Sequence, residues 1–105
     1  MGQISEKERN QIYARIDKKF SAYFKARTHR IDKYDYQYDS FNALVKTVIE
    51  PAGLKIEYFM NYTAQEKIEK TLYCCNKLGL DQFNTRNMLL IWSDDALKIL
   101  GVYYR

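Results

Sequence analysis

The chain has 105 residues, of which 47% are hydrophobic and 15% aromatic, and its formal net charge is +4. This apolar content is too high for an intrinsically disordered chain, and the length favours one domain covering residues 1–105. The longest apolar runs fall far short of the roughly 20 residues that a membrane-spanning helix needs, and the amino terminus lacks the apolar stretch of a secretory signal. We therefore expect a small cytoplasmic protein without a membrane partner.

Two adjacent cysteines and a single histidine restrict the chemistry that the chain can perform. Cys74 and Cys75 are neighbours, which disfavours a disulfide between them, and with His29 they are too few for a structural zinc site. The sequence also lacks a glycine-rich phosphate loop and a clear set of converging carboxylates. It therefore predicts no metal or other cofactor and no enzymatic activity, and it favours both thiols as small buried side chains on a helix.

The positive charge is concentrated in the amino-terminal third of the chain. Residues 1–33 contain nine bases and four acids, whereas residues 34–105 contain eight bases and nine acids. A basic segment of this kind favours a polyanionic partner, although a solvated helix face of mixed charge is an equal alternative. The side chains expected to contact nucleic-acid phosphates are Lys18, Lys19, Lys25, Arg27 and Arg30, together with Lys77 from a later helix.

A capping box and a helical apolar stripe predict the first helix, from about Glu6 to Lys25. Ser5 can accept a hydrogen bond from an exposed backbone N–H, and Glu8 can accept one in return. The apolar residues of the stripe are Ile12, Ile16, Phe20, Tyr23 and Phe24. Residues 26–39 then alternate apolar and polar side chains, which indicates a short strand or an ordered tyrosine-rich loop.

Two further elements are predicted before residue 61. A helix that starts at Asp39 or Ser40 ends near Glu50, because Pro51 follows it. The segment 54–60 is rich in strand-forming residues and begins with alternation, so a strand is predicted there.

The next two elements form the most informative part of the sequence. Thr63-x-x-Glu66 is a second capping box, and Gly79 suits the left-handed residue that ends its helix. The run Leu78-Gly79-Leu80, with Asp81 as a new N-cap, is typical of the tight turn in a helix-turn-helix. The second helix of that motif presents its first turns to base edges in the major groove of DNA. The side chains predicted to read bases are Gln82, Asn84, Thr85, Arg86 and Asn87.

The carboxyl-terminal segment has two interpretations. Met88–Trp92 and Leu97–Tyr104 could pair as a hairpin turned at residues 93–95, in the position of a wing. Alternatively, Ser93 caps a short helix that Gly101 ends. The hairpin is preferred because its flanks are rich in β-branched, aromatic and leucine residues.

With helix, strand, helix, turn, polar helix and hairpin in this order, residues 40–105 resemble a winged helix-turn-helix. The predicted fold class is therefore α+β, with residues 1–39 adding a basic helix and a tyrosine-rich connection. The size, the composition rich in Lys, Asn, Ile and Tyr, and the motif from Leu78 to Asn87 resemble small accessory proteins of Gram-positive, clostridial-type conjugative plasmids. The resemblance implies duplex DNA as the partner at an origin of transfer, read by a homodimer on repeated half-sites beside a relaxase.

The leading hypothesis is a non-enzymatic, sequence-specific binder of double-stranded DNA, acting at an origin of transfer or an operator. One alternative is a small protein-binding module, such as a phage-encoded inhibitor of a nucleic-acid enzyme, with Trp92, Tyr103 and Tyr104 as binding hot spots. Another is a binder of single-stranded nucleic acid in which tyrosines stack on bases. The tyrosines considered for that role, which we favour instead as the edge of the core, are Tyr34, Tyr36 and Tyr38.

Overall fold

A computed structural model of the chain describes residues 4–29 and 36–101, and every regular element in those ranges is helical. The helices are α1 (Glu6–His29), α2 (Tyr36–Leu44), α3 (Ala64–Lys77), α4 (Gln82–Leu90) and α5 (Ala96–Ile99). A π-helical turn, Val45–Ile49, continues α2, and a 3-10 helix, Ile56–Asn61, precedes α3. The described part of the fold is all-α, so the predicted α+β winged helix-turn-helix is wrong.

The first helix is confirmed and is longer than the sequence predicted. Ser5 Oγ accepts the backbone N–H of Glu8 at 3.1 Å, and α1 continues past Lys25 to His29. Its buried stripe packs into the core, and the stripe consists of Ile12, Ile16, Phe20 and Tyr23. The bases of the helix are therefore on or near its outer side, as the spacing predicted.

The second helix starts earlier than predicted. It begins at Tyr36, so residues 26–29 and 36–39 are helical, and neither a strand nor a loop forms over them. The remainder of that segment, with Tyr34, lies outside the described residues. The predicted end is confirmed, because regular structure stops at Ile49, just before Pro51.

The predicted strand at 54–60 is a 3-10 helix. Ile56 and Phe59 are completely buried, while Glu57 and Tyr58 between them are exposed. A buried pair three residues apart matches the three-residue turn of a 3-10 helix and not the two-residue repeat of a strand. The strand-forming side chains of this segment are bulky residues that fill the core of a helical fold, and they do not form part of a sheet in the described structure.

The predicted hairpin is also absent from the described residues. Leu89 and Trp92 are buried three residues apart, and Ala96 and Ile99 repeat that spacing. Helical turns can bury all four on one side, whereas a strand would alternate them. The alternative of a short carboxyl-terminal helix is confirmed, with Gly101 in the left-handed conformation after α5. The predicted cap at Ser93 is wrong, because the N-cap residue is Asp95 and Ser93 Oγ accepts the Asp95 N–H at 3.2 Å before the helix begins.

One tryptophan joins most of the helices. The Trp92 ring stacks on Phe20 of α1 and on Phe59 of the 3-10 helix, with centroids 6.2 and 6.0 Å away, and it meets Phe41 of α2 edge-on at 4.8 Å. Its indole N–H donates to Thr71 Oγ1 of α3 at 2.8 Å. Trp92 is completely buried, so four elements share one aromatic centre.

The two helices and the turn predicted around Gly79 are confirmed. Thr63 and Glu66 form a complete capping box at the start of α3. Gly79 has φ +71°, and the Leu80 N–H donates to Cys75 O at 3.0 Å, which closes the end of the helix. Asp81 then caps α4 by accepting the Asn84 N–H at 2.7 Å.

Replacing Gly79 with alanine should lower the free energy of unfolding by about 1 kcal/mol, because an L side chain disfavours positive φ. Apart from the neighbouring residues of the chain, no atom of the described residues lies within 4 Å of the added Cβ, so the effect is conformational and not a clash. Gly79→Asn is the matched control and should be less destabilising, since asparagine tolerates this conformation. Urea denaturation measures both, and equal losses would show that the left-handed conformation is not the cause.

Candidate nucleic-acid interface

The outer face of α4 carries most of the side chains predicted to read bases. Thr85 and Leu89 of this helix are buried, and the side chains of Gln82, Arg86 and Asn87 are exposed. None of these three exposed side chains makes a hydrogen bond or ion pair with another described residue. They are therefore available to a partner.

The prediction that Thr85 reads a base is wrong. Its side chain is 1% exposed, and its hydroxyl donates to Leu80 O at 3.4 Å. Thr85 therefore faces inward and joins α4 to the turn. A polar residue can fill this inward position because its hydroxyl has a carbonyl partner.

Asn84 is exposed but is partly engaged within its own helix. Its Nδ2 donates to Asp81 Oδ2 at 3.2 Å, beside the capping bond that its backbone makes to the same carboxylate. The second Nδ2 proton and Oδ1 have no partner among the described residues, but the bond to Asp81 holds the amide against the start of α4.

Phe83 is a surface residue that the sequence analysis did not identify. The structure leaves its side chain 71% exposed, in the first turn of α4. Phe83 stands two residues before the buried Thr85, and at 100° per residue that separation places the two side chains on nearly opposite sides of the helix. The α4 face is thus a hydrogen-bonding surface with an aromatic ring in it.

The bases of α1 divide into paired and unpaired groups. Arg15 bonds Asp95 at 2.7 Å, and Arg27 lies 3.6 Å from Glu57, so the predicted phosphate contact Arg27 already has an acidic partner. Lys18 and Lys25 have no ion pair with described residues and, seven positions apart, share the outer face of the helix. Arg30 lies outside the described residues.

Lys77 has a structural partner at the far end of α3. Its Nζ donates to Ala52 O at 2.9 Å, next to the turn that follows the π-helical segment, and lies 6.0 Å from the centre of the Tyr73 ring. The amine therefore joins the end of α3 to the loop after α2. A phosphate would have to compete with that carbonyl.

Helices α1 and α4 are connected through their shared neighbours. Both pack on α3 and on α5. The buried amine of Lys67 in α3 donates to Asp17 Oδ1 of α1 at 3.0 Å and to Tyr62 O at 2.8 Å, and it faces the Phe20 ring at 5.0 Å. These contacts fix the position of the basic helix relative to the α3–α4 pair.

The prediction for the cysteines is confirmed. Cys74 and Cys75 are free thiols, and both are completely buried in α3. Burial raises the pKa of both, that of Cys75 to about 11. The thiols are therefore neutral side chains of the core near pH 7.

At pH 8 the native protein should not react with a thiol-specific disulfide reagent, whereas the unfolded chain should react at both cysteines. The pKa of Cys75 is about 11 in the folded state, against 9.0 for an ordinary thiol. The unfolded chain therefore loses this proton at a lower pH than the folded protein does. As a result, the stabilisation of the fold by the neutral Cys75 thiol is complete below pH 9 and is lost as the pH rises through 11. Cys75→Ala should flatten that loss in urea denaturation at alkaline pH. Rapid labelling of native protein would contradict the buried position.

Neither a membrane-spanning helix nor a metal-binding group is found in the described ranges. No helix there is long and apolar enough to cross a bilayer, and no three His, Cys, Asp or Glu side chains come together. Comparisons of the chain with protein-family models, with curated proteins and with solved structures found no match.

Proposed function

We propose that the protein binds double-stranded DNA sequence-specifically, without catalysis, by placing α4 in the major groove. The observation that carries this proposal is the set of unpartnered polar side chains in α4, just past the tight turn at Gly79. A second helix that follows such a turn is the element that enters the groove in helix-turn-helix proteins. The proposed motif is all-α, with no wing.

The residue types on α4 suit direct contact with base edges. Arg86 can donate two hydrogen bonds to a guanine, and Gln82 or Asn87 can make two to an adenine. The Phe83 ring is placed in the same exposed turns, where an apolar group can contact the methyl group of thymine. These four side chains replace the predicted set, from which Thr85 is removed by burial and Asn84 is held at the cap.

Phosphate contacts are proposed for three lysines of α1 that have no ion pair with described residues, namely Lys18, Lys19 and Lys25. With Arg15 and Arg27 in ion pairs, about three to four phosphates would be neutralised, which gives a slope near −3 for the logarithm of affinity against the logarithm of salt concentration. The same proposal includes a homodimer on repeated half-sites, an origin of transfer as the target and a cytoplasmic location. The protein would bind a relaxase or another protein in addition to DNA.

The proposal is tested by selecting duplexes from a random pool at two salt concentrations and sequencing those retained. We expect an enriched motif at both concentrations and a binding slope of about −3 on the selected duplex. A pool without enrichment, or an affinity that does not respond to salt, would overturn the proposal.

A second candidate function is the binding of a protein partner, favoured by two exposed aromatic side chains. Phe83 is 71% exposed on α4, and Tyr73 is 52% exposed on α3. Exposed aromatic residues are enriched among binding hot spots. The earlier hot-spot candidate Trp92 is buried and is excluded, while Tyr103 and Tyr104 lie outside the described residues. Elution from heparin separates the two functions, because only the DNA binder needs to be retained at moderate salt.

A further inference from the structure

A groove lies between α1, the beginning of α2 and the segment 92–94 that follows α4. Its volume is about 500 Å³, within the range of sites that hold small organic ligands. Its lining includes no residue of the polar α4 surface. It is therefore a separate feature from the proposed DNA-reading face.

Aromatic rings form one side of this groove. Tyr23 stacks on Tyr38 with centroids 5.2 Å apart and on Phe41 with centroids 4.4 Å apart, and Trp92 meets Phe41 at the centre of the fold. Two alanines of α1, Ala22 and Ala26, also line the groove, and their small side chains leave it open. The other three rings are at most 4% exposed, so a planar ligand ring would contact the partly exposed Tyr38 and the two alanines.

Cationic side chains form the other side. Arg15, Lys18 and Lys19 line the groove, with Asp94 as the acid that also lines it. Arg15 is held by Asp95, whereas Lys18 and Lys19 have no ion pair with described residues. Burial lowers the pKa of Lys19, and the charge of Asp94 opposes this only in part. An anionic ligand would stabilise the charge of this half-buried amine, because the nearby Asp94 forms no ion pair with it.

We propose that this groove binds a nucleoside phosphate, with the base against Tyr38 and the two alanines and the phosphate at Lys18 and Lys19. Stacking on aromatic rings and contact with lysines are the two interactions that hold single nucleotides without reading their sequence. A free nucleotide and one nucleotide of a single strand supply the same chemistry. The site uses no residue of the α4 surface, but it shares Lys18 and Lys19 with the phosphate contacts proposed for duplex DNA.

Ligand binding can be measured by the fluorescence of Trp92, because it is the only tryptophan of the chain and lines the groove. Its fluorescence is followed during titration with adenosine 5′-monophosphate, adenosine, inorganic phosphate and a single-stranded oligodeoxyadenylate, with calorimetry as a second readout. We expect a saturable change with the nucleotide, and binding weaker by about tenfold or more for adenosine and for phosphate alone. Tighter binding of the oligonucleotide than of the nucleotide would identify a strand as the source, and the reverse would identify a free nucleotide.

Variants of α1 test the position of the phosphate. The double variant Lys18→Gln, Lys19→Gln should weaken nucleotide binding by about tenfold or more, because it removes both unpaired cations of the groove. Lys7→Gln is the matched control on the same helix, outside the groove, and should change the affinity by less than about twofold. Absence of saturable binding by both nucleotide and oligonucleotide, or an equal loss in Lys7→Gln, would overturn the proposal.

Discussion

Replacing Trp92 with alanine is expected to lower the free energy of unfolding by about 3–5 kcal/mol, the largest effect of any single substitution proposed for this protein. The ring is completely buried and contacts α1, α2 and the 3-10 helix, so its removal leaves a cavity that three elements would have to close. Urea denaturation followed by circular dichroism measures the change.

Two further variants separate packing from hydrogen bonding at this centre. Thr71→Val should destabilise by about 1–3 kcal/mol, because it leaves the buried indole N–H without its acceptor. Tyr73→Ala is the control, an aromatic residue of the same helix that is 52% exposed, and should stay within about 0.5 kcal/mol of the parent protein. A loss below about 1 kcal/mol for Trp92→Ala would contradict the central position of the ring.

Arg86→Ala should weaken binding to the selected duplex by about 1–3 kcal/mol and binding to random duplex by much less. The reason is that Arg86 has no partner among described residues and stands on the exposed face of α4, where its guanidinium can meet a base edge. Fluorescence anisotropy with labelled duplexes measures both affinities.

Lys55→Ala is the control for that experiment, an exposed cation outside α4 and outside the groove. It should change both affinities equally and slightly. If Arg86→Ala weakened selected and random duplexes by the same factor, Arg86 would be a phosphate contact and not a base-reading residue.

Local signals along the chain predicted several elements correctly. Ser5 and Thr63 mark helix starts because each can accept a backbone N–H that the helix leaves unpaired, and both do so here. Gly79 marks a helix end because it adopts positive φ without strain, and Asp81 caps the next helix in the same way as the two earlier residues. These signals depend on a few adjacent residues, so the sequence contains all that they need.

The fold class could not be predicted from such signals, because strand-forming residues are also the bulky residues that fill a helical core. Phe59 and Trp92 are buried in the same aromatic centre, and this tertiary packing decides between a strand and a turn of helix. Only the three-residue spacing of Ile56 and Phe59 pointed to helix, and a segment that short does not define a period.

The candidate site was predicted in outline but not in every residue. The exposed α4 face was expected from the polar composition of this helix. That composition did not indicate that Thr85 faces inward and Phe83 outward. Their positions follow from the rotation of the helix, which Leu89 sets by packing into the core. The groove brings together residues near positions 18, 38 and 93, and no local pattern could place them side by side.

The most direct test of the account is a nuclear magnetic resonance titration of the labelled protein with the selected duplex. We predict that the largest amide shifts fall on residues 82–87 of α4, with smaller shifts along the outer face of α1. Shifts confined to other surfaces, with α4 unchanged at saturating DNA, would contradict the claim that this helix reads the double helix.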